Sequence, residues 1–186
     1  AIGDKANRIV LTAYRDALFD FRDPRWRIEH AQVIAKEDFD LFNSKIIPSV
    51  QPTHATSDMY WLNERIGPIR AKHAYAYKEL LDKSQVIAFG TDFPVEDISP
   101  IMTFYSAVAR KDIDGYPDEG FQIENSISRY DALTAMTIHG AYANFEEAEK
   151  GSIEVGKFAD FIILDTDILR LPENRIPKTK IVATFI

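Results

Sequence analysis

The chain has four histidines, His30, His54, His73 and His139, and no cysteine. Without thiols it has no disulfides, thiolate nucleophiles or cysteine-based zinc sites. A bound metal would have to be held by imidazole nitrogen and carboxylate oxygen, the donors that suit zinc and other divalent ions. Three candidate strands end in groups of that kind: Ile28-Glu29-His30, Gln51-Pro52-Thr53-His54 and Gly90-Thr91-Asp92. In a parallel α/β barrel the C-terminal ends of the strands meet on one rim, which brings residues distant in sequence together. His30 and Asp92 are 62 positions apart, which fits two strand-helix units of roughly 30 residues in a barrel of about 250. A shared metal site, with activated-water chemistry, is one reading of this pattern. In the structural alternative, His30 is a hydrogen-bonded rim residue and Asp92 caps the loop that follows it. His54 reads either as a solvated loop histidine or as a substrate-facing group. His73 sits in a helical pattern beside Lys72 and reads as surface, and His139 reads as a helix-end residue satisfying free carbonyls.

These side chains need a scaffold of alternating strands and helices. Asp4 is placed to cap a helix from about Lys5, with Ile9, Ala13 and Ala17 on one face. Arg25 to His30 reads as a short strand, and a polar helix around Lys36 to Ser44 turns Phe39 and Phe42 inward. Ile46 to Thr53 reads as a second strand, although Pro48 and Pro52 argue against ordinary ladder pairing at its ends. A loop then carries His54. A helix is expected over Ile69 to Asp82, and Gln85 to Gly90 has the clearest strand signal. Ser99-Pro100 opens a helix to about Arg110, and Ser128 with Asp131 resembles a capping box for the next one. Lys111 to Asn125 reads as a surface loop. After Gly151 the pattern changes to glycine-punctuated strands, Phe161 to Leu164 and Lys180 to Ile186, with no helix between. The expected division is therefore a βαβ region over 1–148 and a small β element over 149–186.

Composition narrows the function classes. A 46% hydrophobic and 27% charged chain of this length is that of a globular domain with a sizeable core. With 22 Lys and Arg against 29 Asp and Glu, the surface field disfavours nucleic acid. No apolar run approaches the roughly 18 residues of a membrane span, and the first residues lack a signal-peptide layout. The compartment is not fixed by these features; the cytoplasm is the default expectation, and an export signal could lie further upstream. No serine elbow or phosphate-binding glycine loop is present.

Taken in order, the segments resemble the amidohydrolase superfamily, in particular its branch of metal-dependent hydrolases that includes enzymes similar to N-substituted formamide deformylase. The resemblance rests on Ala1 to Ala6, Arg27-Ile28-Glu29-His30, Ser49 to His54, Gly90-Thr91-Asp92-Phe93-Pro94-Val95 and Gly151 to Asp160. It implies part of a TIM (β/α)8 barrel, strands six to eight with their helices, followed by a piece of a small β-sandwich. His30 would be the metal-binding histidine of strand six. Asp92 would be the strand-eight carboxylate that touches the metal and takes a proton from the attacking water. His54 would face an amide-type small-molecule substrate. One or two divalent ions, zinc first among them, would lower the pKa of water toward about 7 and polarise the scissile carbonyl.

The resemblance also implies partners in the chemistry that this sequence does not contain. The His-x-His pair of the first strand and the strand-four bridging residue are not here, and the strand-five histidine would stand just before Ala1. Three strands cannot close an eight-stranded barrel. The expectation is that an N-terminal barrel half or a second chain completes the fold, and that this piece alone is inactive and self-associates through its open sheet. Two alternatives stand beside the hydrolase reading. One is a non-catalytic α/β module that binds a partner polypeptide through that edge; the other is a metal-free α/β enzyme in which Asp92 and His54 form an acid-base pair.

Overall fold

The computed structural model describes residues 1–186. Its centre is a three-stranded parallel sheet of β1 (Trp26–Glu29), β2 (Ile46–Val50) and β3 (Ala88–Phe89), in the spatial order β1-β2-β3. Helices α1 (Asp4–Ala17), α2 (Pro52–Asp58), α3 (Leu62–Ala71), α4 (Tyr77–Ser84), α5 (Pro100–Ala109), α6 (Arg129–Met136) and α7 (Ile138–Ala143) surround it. A separate antiparallel pair, β4 (Phe161–Leu164) and β5 (Ile181–Phe185), closes the chain. One core cluster runs through the α/β part, with Leu11, Ile28, Phe39, Val50, Leu80 and Phe104 essentially sealed from solvent.

Parallel strands need crossovers, and the helical segments between them supply these. β2 is the central strand even though it contains Pro48, which lies opposite Ile28. Ser49 offers its carbonyl to His30 N on the β1 side (2.8 Å), and Val50 offers its carbonyl to Gly90 N on the β3 side (3.0 Å). Backbone groups alternate along a strand, so the donor missing from Pro48 would face β3, and β3 pairs only from Ser49 onward. The proline is therefore tolerated without breaking the ladder.

Several local expectations need correction. Gly3, not Asp4, is the N-cap of α1; Asp4 is its first helical residue, where a carboxylate favours the positive helix end. The helix expected over Ile69 to Asp82 is two helices. Gly67 (φ 76°) kinks α3 ahead of Pro68, the chain leaves helix after Ala71, and α4 begins only at Tyr77. His73 therefore lies between helices, half-buried, with its ring edge-on to Phe39 at 6.3 Å. The strand with the clearest signal pairs over only two residues: Gln85 still caps α4, and the Pro48 side of β2 offers no donor, so pairing begins at Ser49 with Ala88 and ends with β2 at Val50. His54 lies on α2, not in a loop: Pro52 takes the first helical turn, where its missing N–H is not needed. Between β4 and β5 stands a 3-10 helix, Glu173–Lys178, whose Ile176 is fully buried.

Other local readings match the structure. Ser99 accepts from Met102 N at the start of α5, and Ser128 both accepts from Asp131 N and donates to its carboxylate at 2.6 Å at the start of α6. Gly151 (φ 93°) lies so close to α7 that a Cβ would fall 2.8 Å from Ala141 Cβ and 2.9 Å from Ile138 Cα. Only glycine fits there.

No helix is long and apolar enough to cross a membrane. A broad, open concavity of about 1080 Å³ lies between α5–α7 and the β4–β5 pair, walled by Phe104, Leu133, Met136, Phe161 and Phe185. None of His30, His54 and Asp92 borders it.

Candidate metal and active site

The C-terminal ends of the parallel strands bring His30, His54 and Asp92 together. Each offers one ligand atom, and the three atoms lie within 4.8 Å of one another. His30 follows β1 directly. Its N–H continues the ladder, but its φ of 69° and that of Ala31, 40°, turn the chain sharply out of the strand. Asp92 follows β3 with φ 60°. Non-glycine residues adopt such angles at a cost of order 1–3 kcal/mol each, and they collect where a site needs a fixed geometry. His54 comes from the first turn of α2, and its N–H bonds Gln51 O at 3.0 Å.

The imidazoles of His30 and His54 stack at 5.9 Å with 15° between planes. His30 Nδ1 and His54 Nε2 are both buried and lack a hydrogen-bond partner. His54 Nε2 lies 3.7 Å from Asp92 Oδ2 and 3.9 Å from Glu96 Oε1, too far for hydrogen bonds. Two orphaned imidazole nitrogens facing a carboxylate are the donor set expected of a divalent cation site. Each orphan would otherwise carry an unrelieved desolvation penalty.

A supporting layer fixes the residues that follow the two histidines. Tyr75 donates its phenolic hydrogen to Asp58, one helical turn beyond His54, and Gln32, two residues beyond His30, donates to Tyr75 Oη at 2.7 Å. Burial and the adjacent Asp58 push the Tyr75 phenol well above its ordinary range, so it remains a donor. Tyr77 donates to Gln51 O at 2.9 Å at the entry to α2. Arg110, fully buried, donates to Tyr75 O at 3.2 Å and to Phe121 O at 2.9 Å. His139 lies apart from the site. Its Nδ1 is 3.1 Å from Ile87 O, a strand-side carbonyl and not the end of its own helix.

Sequence reasoning placed His54 outside the metal set; in space its ring nitrogen belongs to the same group as His30 and Asp92. It also missed Glu96, whose only trace in the sequence is an acidic residue four positions after Asp92 in the same loop.

This arrangement, parallel strands with imidazole and carboxylate groups at their C-terminal ends, is an α/β scaffold carrying a candidate metal site. The family profile described as the amidohydrolase family matches residues 1–186, and the chain belongs to that family. It is 40% identical over 171 residues to Protein LONG AFTER FAR-RED 3 of Arabidopsis thaliana, covering 90% of this chain and 29% of that protein. It is 28% identical over 112 residues to N-substituted formamide deformylase of Arthrobacter pascens, covering 60% of this chain and 20% of the relative. Among solved structures, an uncharacterized metal-dependent hydrolase from Pyrococcus horikoshii OT3 superposes with a TM-score of 0.77 at 31% identity, covering 93% of this chain and 34% of that one. The chain thus spans about a third or less of the length of these relatives.

Proposed function

We propose that the protein carrying this chain hydrolyses a C–N bond of an amide, formamide or cyclic amide, using one or two divalent cations, zinc first among them. The observation that carries this reading is the convergence of ligand atoms from His30, His54 and Asp92 within 4.8 Å. Family membership and similarity to a formamide deformylase and to a metal-dependent hydrolase support it. In this reading the three parallel strands with their helical crossovers are strands six to eight of a TIM barrel, and β4–β5 belongs to a β-sandwich beside it.

His30 and Asp92 hold the cation, and His54 completes a set of three ligands or turns its ring to the substrate. The cation, when bound, supplies a Lewis acid that polarises the scissile carbonyl and makes water acidic enough to attack near neutral pH. Asp92, half-exposed at the loop that follows β3, takes the proton of the attacking water on its carboxylate and returns it to the leaving nitrogen. With its ring turned to the substrate instead of the cation, His54 would orient the carbonyl and stabilise the negative charge that develops on its oxygen. The left-handed backbone at His30 and Asp92 fixes both groups before substrate arrives, so little reorganisation is left for the reaction itself. The 186-residue piece alone, with only part of the barrel, is expected to be inactive.

The experiment is metal analysis and amidase assay of the full-length protein on a panel of formamides and cyclic amides. Stoichiometric zinc, with activity lost on chelation and restored by zinc, is the expected result. A metal-free protein that retains full amidase activity overturns the proposal.

A further inference from the structure

Glu96 is a carboxylate without a cationic side-chain partner. Its side chain is only 18% exposed, and its one hydrogen bond comes from the Ser57 hydroxyl, at 2.6 Å. No Lys or Arg lies within ion-pair distance of it or of Asp92; the His54 ring is the single ionisable partner for both. Asp92 is partly exposed to water, so the cost of an unpaired carboxylate falls mainly on Glu96. A bound cation would relieve that cost.

Its position follows from the helix. Ser57 lies three residues after His54 on α2, so the two share a face. Glu96, arriving from the loop between β3 and α5, reaches both: its Oε1 accepts from Ser57 and lies 3.9 Å from His54 Nε2. Asp92 Oδ2 lies 3.7 Å from the same nitrogen, but Glu96 does not join the group whose ligand atoms all converge. Glu96 therefore acts beside His54 and not as one of the converging ligands.

We propose that Glu96, held by Ser57 beside His54 Nε2, is an outer carboxylate of the site: without ligating, it supplies the second negative charge that balances a divalent ion. This rests on the cation reading above and extends it to a residue and a tether outside the converging set. Carboxylates that support metal-binding histidines from outside the ligand shell typically matter by 10- to 100-fold in affinity. The charge has an opposite effect on the metal-free fold, where nothing neutralises it.

The test is zinc titration calorimetry together with thermal unfolding of the metal-free protein, for wild type, Glu96→Gln, Glu96→Asp and Ser57→Ala. Glutamine keeps the shape and can still accept from Ser57, so only the charge is lost. The expected result is zinc binding weakened about tenfold or more in Glu96→Gln, with metal-free melting unchanged or raised, partial recovery in Glu96→Asp, and a smaller loss in Ser57→Ala. Wild-type zinc binding with Glu96→Gln within about twofold of it overturns this proposal and leaves the hydrolase reading standing. A Glu96→Gln loss matched by a fall in metal-free melting temperature makes the residue structural and also overturns it. A wild type that binds no zinc overturns both.

Discussion

At the N-terminal end of the parallel sheet, Arg25 pairs with Asp23 and Glu147, donates to Tyr142 O at 2.8 Å, and lies 3.6 Å over the Tyr142 ring and 4.3 Å from that of Phe145. At the C-terminal end, a few residues further along the same strands, two imidazole nitrogens have no partner and two carboxylates have no Lys or Arg. One end is saturated with interactions and the other is left open. Ion pairs and cation–π contacts stiffen the first end and raise the Arg25 pKa, chiefly through the Asp23 carboxylate. The unpaired groups at the second end are the ones the proposed cation site would use.

Substitutions should separate the two ends. The largest expected effect is at the open end. His30→Ala or Asp92→Asn should weaken zinc binding more than about 100-fold, beyond the usual effect of an outer-shell change, while metal-free melting holds or rises. Calorimetry and a metal-free melt check it, and a parallel fall of both quantities would dissolve the contrast. At the saturated end Arg25→Ala should do the reverse, lowering the melting temperature by about 5 °C with zinc affinity unchanged. A large loss of zinc affinity in that variant would mean the two ends are coupled through the short strands.

The smallest effect concerns His139, on α7, whose ring meets the Ile87 carbonyl just ahead of β3 and lies outside the candidate site. Burial pushes its pKa below the ordinary 6.5, outweighing the hydrogen bond to Ile87 O. The folded protein therefore binds this proton less readily than the unfolded chain, and stability rises with pH through that window. The contribution is present above about pH 6.5 and is lost as the pH falls toward the depressed value. Denaturant titrations between pH 7.5 and 5 should show a modest acid-side loss that His139→Gln flattens; an unchanged slope in the variant would assign the loss to other groups.

Much of this was legible in local pattern. Ser99 and Ser128 cap their helices because a hydroxyl before a helical run satisfies free N–H groups wherever it occurs. Ile28 and Val50 are buried as the strand pattern requires, and His30 and Asp92 stand where strands end. Other features were not legible, each for a physical reason. The break between Ala71 and Tyr77 is hidden inside a window with helical spacing. The shortness of β3 depends on the proline opposite its start and on the helix cap at Gln85. His139 was read as satisfying its own helix, whereas it reaches a strand 52 residues away in sequence.

The sequence by itself determined the donors: no thiol, four imidazoles, and carboxylates at strand ends, together with the alternation that makes a parallel sheet. Tertiary structure alone decided which of those donors meet. His54 joins His30 and Asp92 because α2 starts one residue after Gln51, and Glu96 stands beside His54, outside that group, where Ser57 on the same helix holds it. Residue type and spacing fix local conformation, but which side chains converge depends on how separate elements pack, and that is set by contacts between residues far apart in the chain.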